Sequence, residues 1–305
     1  VTRIEAREGQ FALKKSKMKQ NQAERFFHTL RFFEKNQVPT VLPVLHTRRN
    51  EKFFYDDGFV YYLTPWGEDC RDLQKENECF KTLALFHRFT EQRETIKEEE
   101  WEKRNDQFRK NRDADVLALE AFADEIEKKR YYSPFELAFL MHFPFLYRLH
   151  KDSLYWFHKW TDAASMKGTL KMVCCHGKPS ADHLVRDYKG EFKWINVEAS
   201  GNGHPQHDVA HLYKSCLKEN QWEPVQTYSW IQSYKENAAT FDSEDEFLLK
   251  SQLLNESPMY SFLEKARRRH PSEEHIWTWQ LENQMVWLEK VKETVEKWPA
   301  PKKEE

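Results

Sequence analysis

The sequence predicts an α+β fold in two lobes, a small β-rich lobe over residues 1–66 and a larger helical lobe over residues 67–305. Three observations lead there. Strand-like alternation dominates the N-terminal segment, helical periodicity dominates the remainder, and Pro65-Trp66-Gly67 breaks regular structure between them. Within the helical lobe a single stretch, residues 168–210, returns to strand and hairpin character.

In order along the chain, residues 1–15 read as strand, with Phe11 and Leu13 alternating after Gly9. Between Gln22 and Lys35, Phe26, Phe27, Leu30 and Phe33 form the apolar stripe of an amphipathic helix. Extended segments are expected at Thr40–Leu45 and Phe53–Leu63. Phe80, Leu83, Ala84 and His87 mark one helix, and Val116, Leu119, Phe122 and Ile126 another. The intervening residues 91–113 are almost wholly charged and read as a solvated helix face or an insertion. Ser133-Pro134-Phe135-Glu136 is a capping box with proline at the first helical position, opening an aromatic helix that runs to about Trp160. Met172–Cys175, Leu184-Val185 and Phe192–Val197 read as strands with a turn at Lys189-Gly190, and helices are expected from Asp208 onward. The aromatic segments Tyr147–Trp160 and Trp277–Trp287 have helical spacing and are expected in the core. The tail Lys297–Glu305 reads as a frayed end.

Composition supports a packed chain. Of 305 residues 39% are hydrophobic and 15% aromatic, enough to fill a core, while 32% are charged. The net charge of −2 is spread along the sequence, which predicts no nucleic-acid partner, and no apolar run predicts a membrane span. Cys70, Cys79, Cys174, Cys175 and Cys216 are odd in number and contain no C-x-x-C pair. Reduced, mostly buried thiols are expected rather than a disulfide framework or a zinc site. The chain begins at Val1 inside an expected strand, so residues preceding it are anticipated, as is synthesis in the cytoplasm.

The chemistry concentrates in Cys175-His176-Gly177-Lys178-Pro179-Ser180-Ala181-Asp182-His183 and in Trp194-Ile195-Asn196-Val197-Glu198. Here the chain resembles the aminoglycoside phosphotransferase and choline kinase superfamily, relatives of the protein kinases, whose loop reads H-G-D-x-x-x-x-N and whose metal-binding Asp follows in an I-D-x-E context. His176, Gly177 and Glu198 match, and the thirteen positions from His183 to Asn196 fit the expected spacing. His204-Pro205 with Asp208-Val209-Ala210 resembles the family's D-P…D-L-A segment, and Leu83–His87 its L-A-x-L-H helix. Phe11-Ala12-Leu13-Lys14 resembles the strand carrying the phosphate-binding lysine. The resemblance implies a bilobal kinase-like fold, a ligand cleft, Lys14 paired with Glu24, and His176 and Asp208 bracing the loop.

The departures imply lost catalysis. Lys178 stands at the base position, His183 and Asn196 at the two metal-ligand positions. Phosphoryl transfer needs a carboxylate to orient the attacking hydroxyl and magnesium held by hard oxygens. An unperturbed lysine, titrating near ~10.4, is cationic at neutral pH and cannot act as that base. Where Asp-Asn-Asp would carry two negative charges, Lys-His-Asn with neutral histidine carries one positive. No cofactor is therefore expected. Asp182, shifted by one residue, and Glu198, two residues past Asn196, are the candidates for a rescued metal site, and an ordinary turn carboxylate is the competing role for Asp182. A metal-free anion held by Lys14 and Lys178 is a further possibility.

Within the superfamily, Tyr61–Trp66, Leu83–His87 and the Cys175–Pro179 loop resemble the spore coat-associated branch of CotS and YutH type. That resemblance implies a pseudokinase made in the mother-cell cytoplasm of a sporulating Bacillus relative and assembled into the spore coat, with other coat proteins as partners. The alternative is an active kinase of amino-alcohol or sugar hydroxyls, dependent on ATP and Mg and using Asp182 or Glu198.

Overall fold

The structure, a computed structural model, describes residues 1–69, 75–219 and 224–298. Cys70 and the tail beyond residue 298 lie outside them. The chain forms two compact units. Among the described residues, one holds residues 1–69, 75–93, 171–219 and 225–240, the other residues 94–170, 224 and 241–298.

The first unit opens with the hairpin β1 (Thr2–Ala6) and β2 (Gly9–Lys17), then α1 (Gln20–Lys35), β3 (Phe54–Asp56) and β4 (Phe59–Pro65). These strands make an antiparallel sheet in the order β1-β2-β4-β3, with Lys14 opposite Tyr62 and Leu13 opposite Leu63. The sequence pattern misassigns its faces. Ala12 and Lys14 on β2, with Val60, Tyr62 and Thr64 on β4, point inward, whereas Leu13 is exposed. The two-residue period of the pleat therefore buries Lys14 with Ala12 and leaves Leu13 on the other face.

Helix α1 follows its stripe. Ala23, Phe26, Leu30 and Phe33 are buried, and the Phe26 ring meets Tyr62 at 5.4 Å. Each such phenyl ring contributes ~1.5–3 kcal/mol by leaving water. Residues 40–45 form no regular strand. They run beside Trp194, with one parallel bridge at Val41 and backbone bonds from Trp194 N to Thr40 O and from Leu42 N to Trp194 O.

Past a short strand β5 (Glu68–Asp69) the same unit continues with α2 (Lys75–Thr90). After β6 (Gln92–Thr95) the chain enters α3 (Glu98–Glu127) and α4 (Pro134–Lys167). Sequence pattern separates the charged segment 91–113 from the stripe 116–126. They belong instead to β6 and one thirty-residue helix, α3, whose charges are largely solvated while Trp101, Leu119, Phe122 and Ile126 are buried. α4 starts at the expected capping box, where Ser133 Oγ accepts from Glu136 N and the Glu136 carboxylate accepts in return from Ser133 N.

The chain returns to the first unit through β7 (Thr169–Cys175), β8 (Leu184–Arg186), β9 (Phe192–Trp194) and β10 (Gly201–Gly203), followed by α5 (Pro205–Glu219) and α6 (Pro224–Asn237). β8 pairs with β5 and β9, and β7 pairs with β10. Gly67 lets the β4–β5 connection approach β8, because a Cβ there would lie 2.4 Å from Val185 Cγ2.

The second unit is helical, with α3 and α4 joined by α7 (Ser243–Leu253), α8 (Ser257–Ala266) and α9 (Glu274–Glu296). The aromatic segments of α4 and α9 divide between core and surface. Phe157 and Trp160 are buried, but Tyr155 and Trp279 are exposed. Among the described residues no helix is long and apolar enough to cross a membrane.

Candidate functional site

The loop after β7 is held by one buried carboxylate. Asp208, near the start of α5, accepts from His176 N at 2.5 Å, from Gly177 N at 3.0 Å and from His87 Nε2 at 3.1 Å. The other ring nitrogen of His87 meets Tyr234 Oη at 2.8 Å. Burial opposes charge on Asp208, yet the hydrogen bond and charge of His87, the electrostatic interaction with His176 and the His176 backbone N–H outweigh it and hold the carboxyl below its usual range. Gly177 sits at φ 87°, and a Cβ there would lie 2.3 Å from Ala199 O, so only glycine fits.

His176 is fully buried. Its Nε2–H donates to Ile195 O at 2.9 Å, and its Nδ1 has no partner. Desolvation lowers its pKa to about 4 against the pull of Asp208, so the ring is neutral at pH 7. It stacks on His183 at 5.7 Å, nearly parallel. His183 is partly buried and its Nδ1–H donates to Lys178 O at 2.9 Å, with its pKa lowered chiefly by burial. Lys178 and Asp182 are both exposed.

The second cluster stands on the inward face of β2 and β4. Lys14 is buried to 4% exposure, and its Nζ donates to Asn196 Oδ1 at 2.5 Å. Burial lowers the lysine pKa, opposed by the charge of Glu198. Glu198 Oε1 in turn accepts from Ser16 Oγ at 2.8 Å and Tyr62 Oη at 2.5 Å. Burial opposes ionisation of Glu198, but those hydroxyls, its own backbone N–H and Lys14 together lower its pKa. The Tyr62 phenol is pushed upward by burial and by Glu198. Asn196 adopts φ 60°, ψ 44°, a left-handed conformation that asparagine tolerates better than most residues.

Lys14, Asn196 and Glu198 thus come together, as do His176, His183 and Asp208. The expected partnership of Lys14 with Glu24 is not formed. Glu24 is exposed on α1 and accepts from Gln20 Nε2 at 3.3 Å, while Glu198 is the carboxylate that acts on Lys14. Helical periodicity places Glu24 on α1 but cannot say which of its faces meets β2. Lys14 is buried and hydrogen-bonded, whereas Lys178 is exposed. Sequence reasoning misses Ser16 and Tyr62. The signal is present in the strand period, since Ser16 lies two residues beyond Lys14 on the same face.

Magnesium does not fit these groups. The three positions that would hold and orient it present an exposed ammonium, an imidazole tied to a backbone carbonyl and an amide oxygen engaged by Lys14. Among the described residues, His87, Cys175 and Asp208 form a buried trio with potential ligand atoms within 4.8 Å of one another. Each already has hydrogen-bond partners, Cys175 Sγ donating to His204 O at 3.4 Å. The Cys175 thiol is pushed upward by burial, so it is not poised as a thiolate ligand.

No family model matches the chain, and no curated protein matches it in sequence. Solved structures do match in fold. An aminoglycoside phosphotransferase from Alicyclobacillus acidocaldarius aligns over 94% of this chain and 87% of its own, at 17% identity and TM-score 0.70. Spectinomycin phosphotransferase bound to ADP and spectinomycin aligns over 96% and 88%, at 11% identity and TM-score 0.60. An amicoumacin kinase in complex with AMP-PNP, Ca2+ and Ami aligns over 97% and 85%, at 12% identity and TM-score 0.51. The chain has the α+β kinase-like fold of these phosphotransferases.

Proposed function

We propose that this chain is a pseudokinase, a kinase-like fold serving as a structural or scaffold component of the bacterial endospore coat. The observation that carries the pseudokinase assignment is the bond from buried Lys14 Nζ to Asn196 Oδ1. By resemblance, these are the phosphate-binding lysine and a metal-ligand position. Here the two bond to each other, and the amide brings no negative charge to hold a hard cation. Lys178 at the base position adds a positive charge where a proton acceptor is required. Glu198, the carboxylate of the alternative kinase reading, is engaged by Ser16, Tyr62 and Lys14.

The coat assignment, and with it synthesis in the mother cell and coat-protein partners, rests on the resemblance of Tyr61–Trp66, Leu83–His87 and Cys175–Pro179 to the spore-coat branch. Two experiments test the proposal. Incubation with ATP and Mg2+ or Mn2+ across aminoglycosides, amino alcohols and sugars is expected to give no product. Turnover that disappears in Glu198→Gln would sink the pseudokinase reading. A fluorescent fusion followed through sporulation is expected to move from the mother-cell cytoplasm to the spore periphery, and uniform cytoplasmic signal to the end would remove the coat role.

A further inference from the structure

Apart from the Lys14–Asn196 cluster, the C-terminal half of α1 and the segment after it line a partly open cavity of about 180 Å3. Its walls include Leu30, Phe33, Val38, Val41 and Leu42, each less than a tenth exposed. Close-packed interiors seldom leave a void larger than a water molecule. An apolar cavity of roughly 150 Å3 stays dry and binds benzene. The cavity here is of that size and is apolar over most of its lining.

One polar group stands out in the wall. Lys52 is 8% exposed, and its ammonium donates to Glu34 Oε1 at 2.9 Å and to Val44 O at 3.2 Å. An ammonium carries three N–H donors, so one remains for a ligand. Glu34 is half exposed at the rim, and its pKa is lowered by the hydrogen bond from Lys52, with burial opposing and Lys52, His46 and Arg31 adding their charges. The carboxylate beside the ammonium leaves the pair neutral, so an anion entering the apolar pocket would lose its hydration with little net charge to offset it.

We infer that this cavity binds a small neutral molecule, an aromatic ring carrying one acceptor oxygen in the manner of a phenol. The ring fills the space between Phe33, Leu30 and Val41, and the oxygen accepts the remaining N–H of Lys52. A carboxylate analogue is disfavoured by the loss of its hydration and by competition with Glu34 for the ammonium, and a hydrocarbon ring leaves the ammonium proton unsatisfied. The inference stands apart from the pseudokinase reading, since no residue of this cavity belongs to the Lys14–Asn196–Glu198 cluster.

The test is fluorine NMR of the whole chain with 4-fluorophenol, fluorobenzene and 4-fluorobenzoate. Saturable binding of the phenol is expected, with the benzoate about tenfold or more weaker. Val41→Phe should fill the cavity and weaken the phenol by about tenfold or more, and Lys52→Met should erase its advantage over fluorobenzene. No saturable binding up to the solubility limit, equal binding of the benzoate, or full affinity in Val41→Phe would each overturn the site. Should Val41→Phe fail to melt cooperatively, cross-relaxation between probe protons and the Leu30 and Val41 methyls in the unsubstituted protein decides, and its absence is equally fatal.

Discussion

Gly177 is the residue on which the loop turns, and its replacement gives the sharpest local test. At φ 87° a side chain is strained, and its Cβ would press on Ala199 O, which is backbone and cannot swing aside. Gly177→Ala should therefore cost at least ~2 kcal/mol, combining left-handed strain with the clash. A cooperative melt shifted down by several degrees would be the signature, and an unchanged melting temperature would refute the account. His176 gives a pH prediction. Its pKa falls from 6.5 to about 4 on folding because burial excludes the charged ring. The unfolded chain therefore takes up a proton first as pH drops. The neutral ring's contribution is complete above pH ~6.5 and is lost progressively toward pH ~4, at most about 3 kcal/mol. Urea unfolding midpoints across that window should fall less steeply in His176→Gln than in the parent. His176, Gly177 and Asp208 are legible as a motif, because their spacing along the chain is short. The partner of Lys14 is not, since Asn196 lies 182 residues away and the pairing needs the folded backbone.

Among the elements, α3, α4 and the segment leading into α8 meet at a buried charged network. Arg112 on α3 donates two bonds of 2.7 Å to Glu256, which also accepts from Tyr260 Oη at 2.7 Å and contacts His150 Nδ1 of α4 at 3.0 Å. Arg112 and Glu256 are almost wholly buried. Burial opposes ionisation of Glu256, and its hydrogen bonds and the Arg112 charge overcome it. Removing one partner strands the other, so Glu256→Leu alone should cost ~3–5 kcal/mol, whereas joint Arg112→Met and Glu256→Leu should recover much of that. Chemical denaturation of both single variants and of the double measures the coupling, and additivity of the single losses would argue against it. Sequence patterning finds α1 and α4 through their stripe and capping box. It divides α3 wrongly, since a charged stretch gives no apolar period even where Trp101 and Arg112 face inward. The Arg112–Glu256 pairing is invisible to it for a further reason: charged residues are read as solvated by default.

For the molecule as a whole, the fold is shared with phosphotransferases at 17% identity or less in the structures described, so architecture alone does not fix activity. Charge at the positions that the resemblance assigns to metal ligands offers a discriminating experiment. The unsubstituted protein should show no Mg2+-dependent rise in melting temperature with ATP. Joint Lys178→Asp, His183→Asn and Asn196→Asp, which lowers the local charge and restores carboxylate oxygens for a hard cation, should acquire one through ligand linkage. A rise already present in the parent would undo the electrostatic argument.

The sequence by itself determined the kinase-like order of elements and the chemistry at positions 178, 183 and 196, because residue identity and short-range spacing carry both. Only the tertiary structure decided that Lys14 faces inward, that Asn196 and Glu198 rather than Glu24 surround it, and that Ser16 and Tyr62 complete the cluster. Those outcomes depend on which face of a strand is buried and on contacts between residues far apart in the chain. A strand's pleat reverses with every residue, so a side chain's direction is fixed only when the sheet has something to pack against.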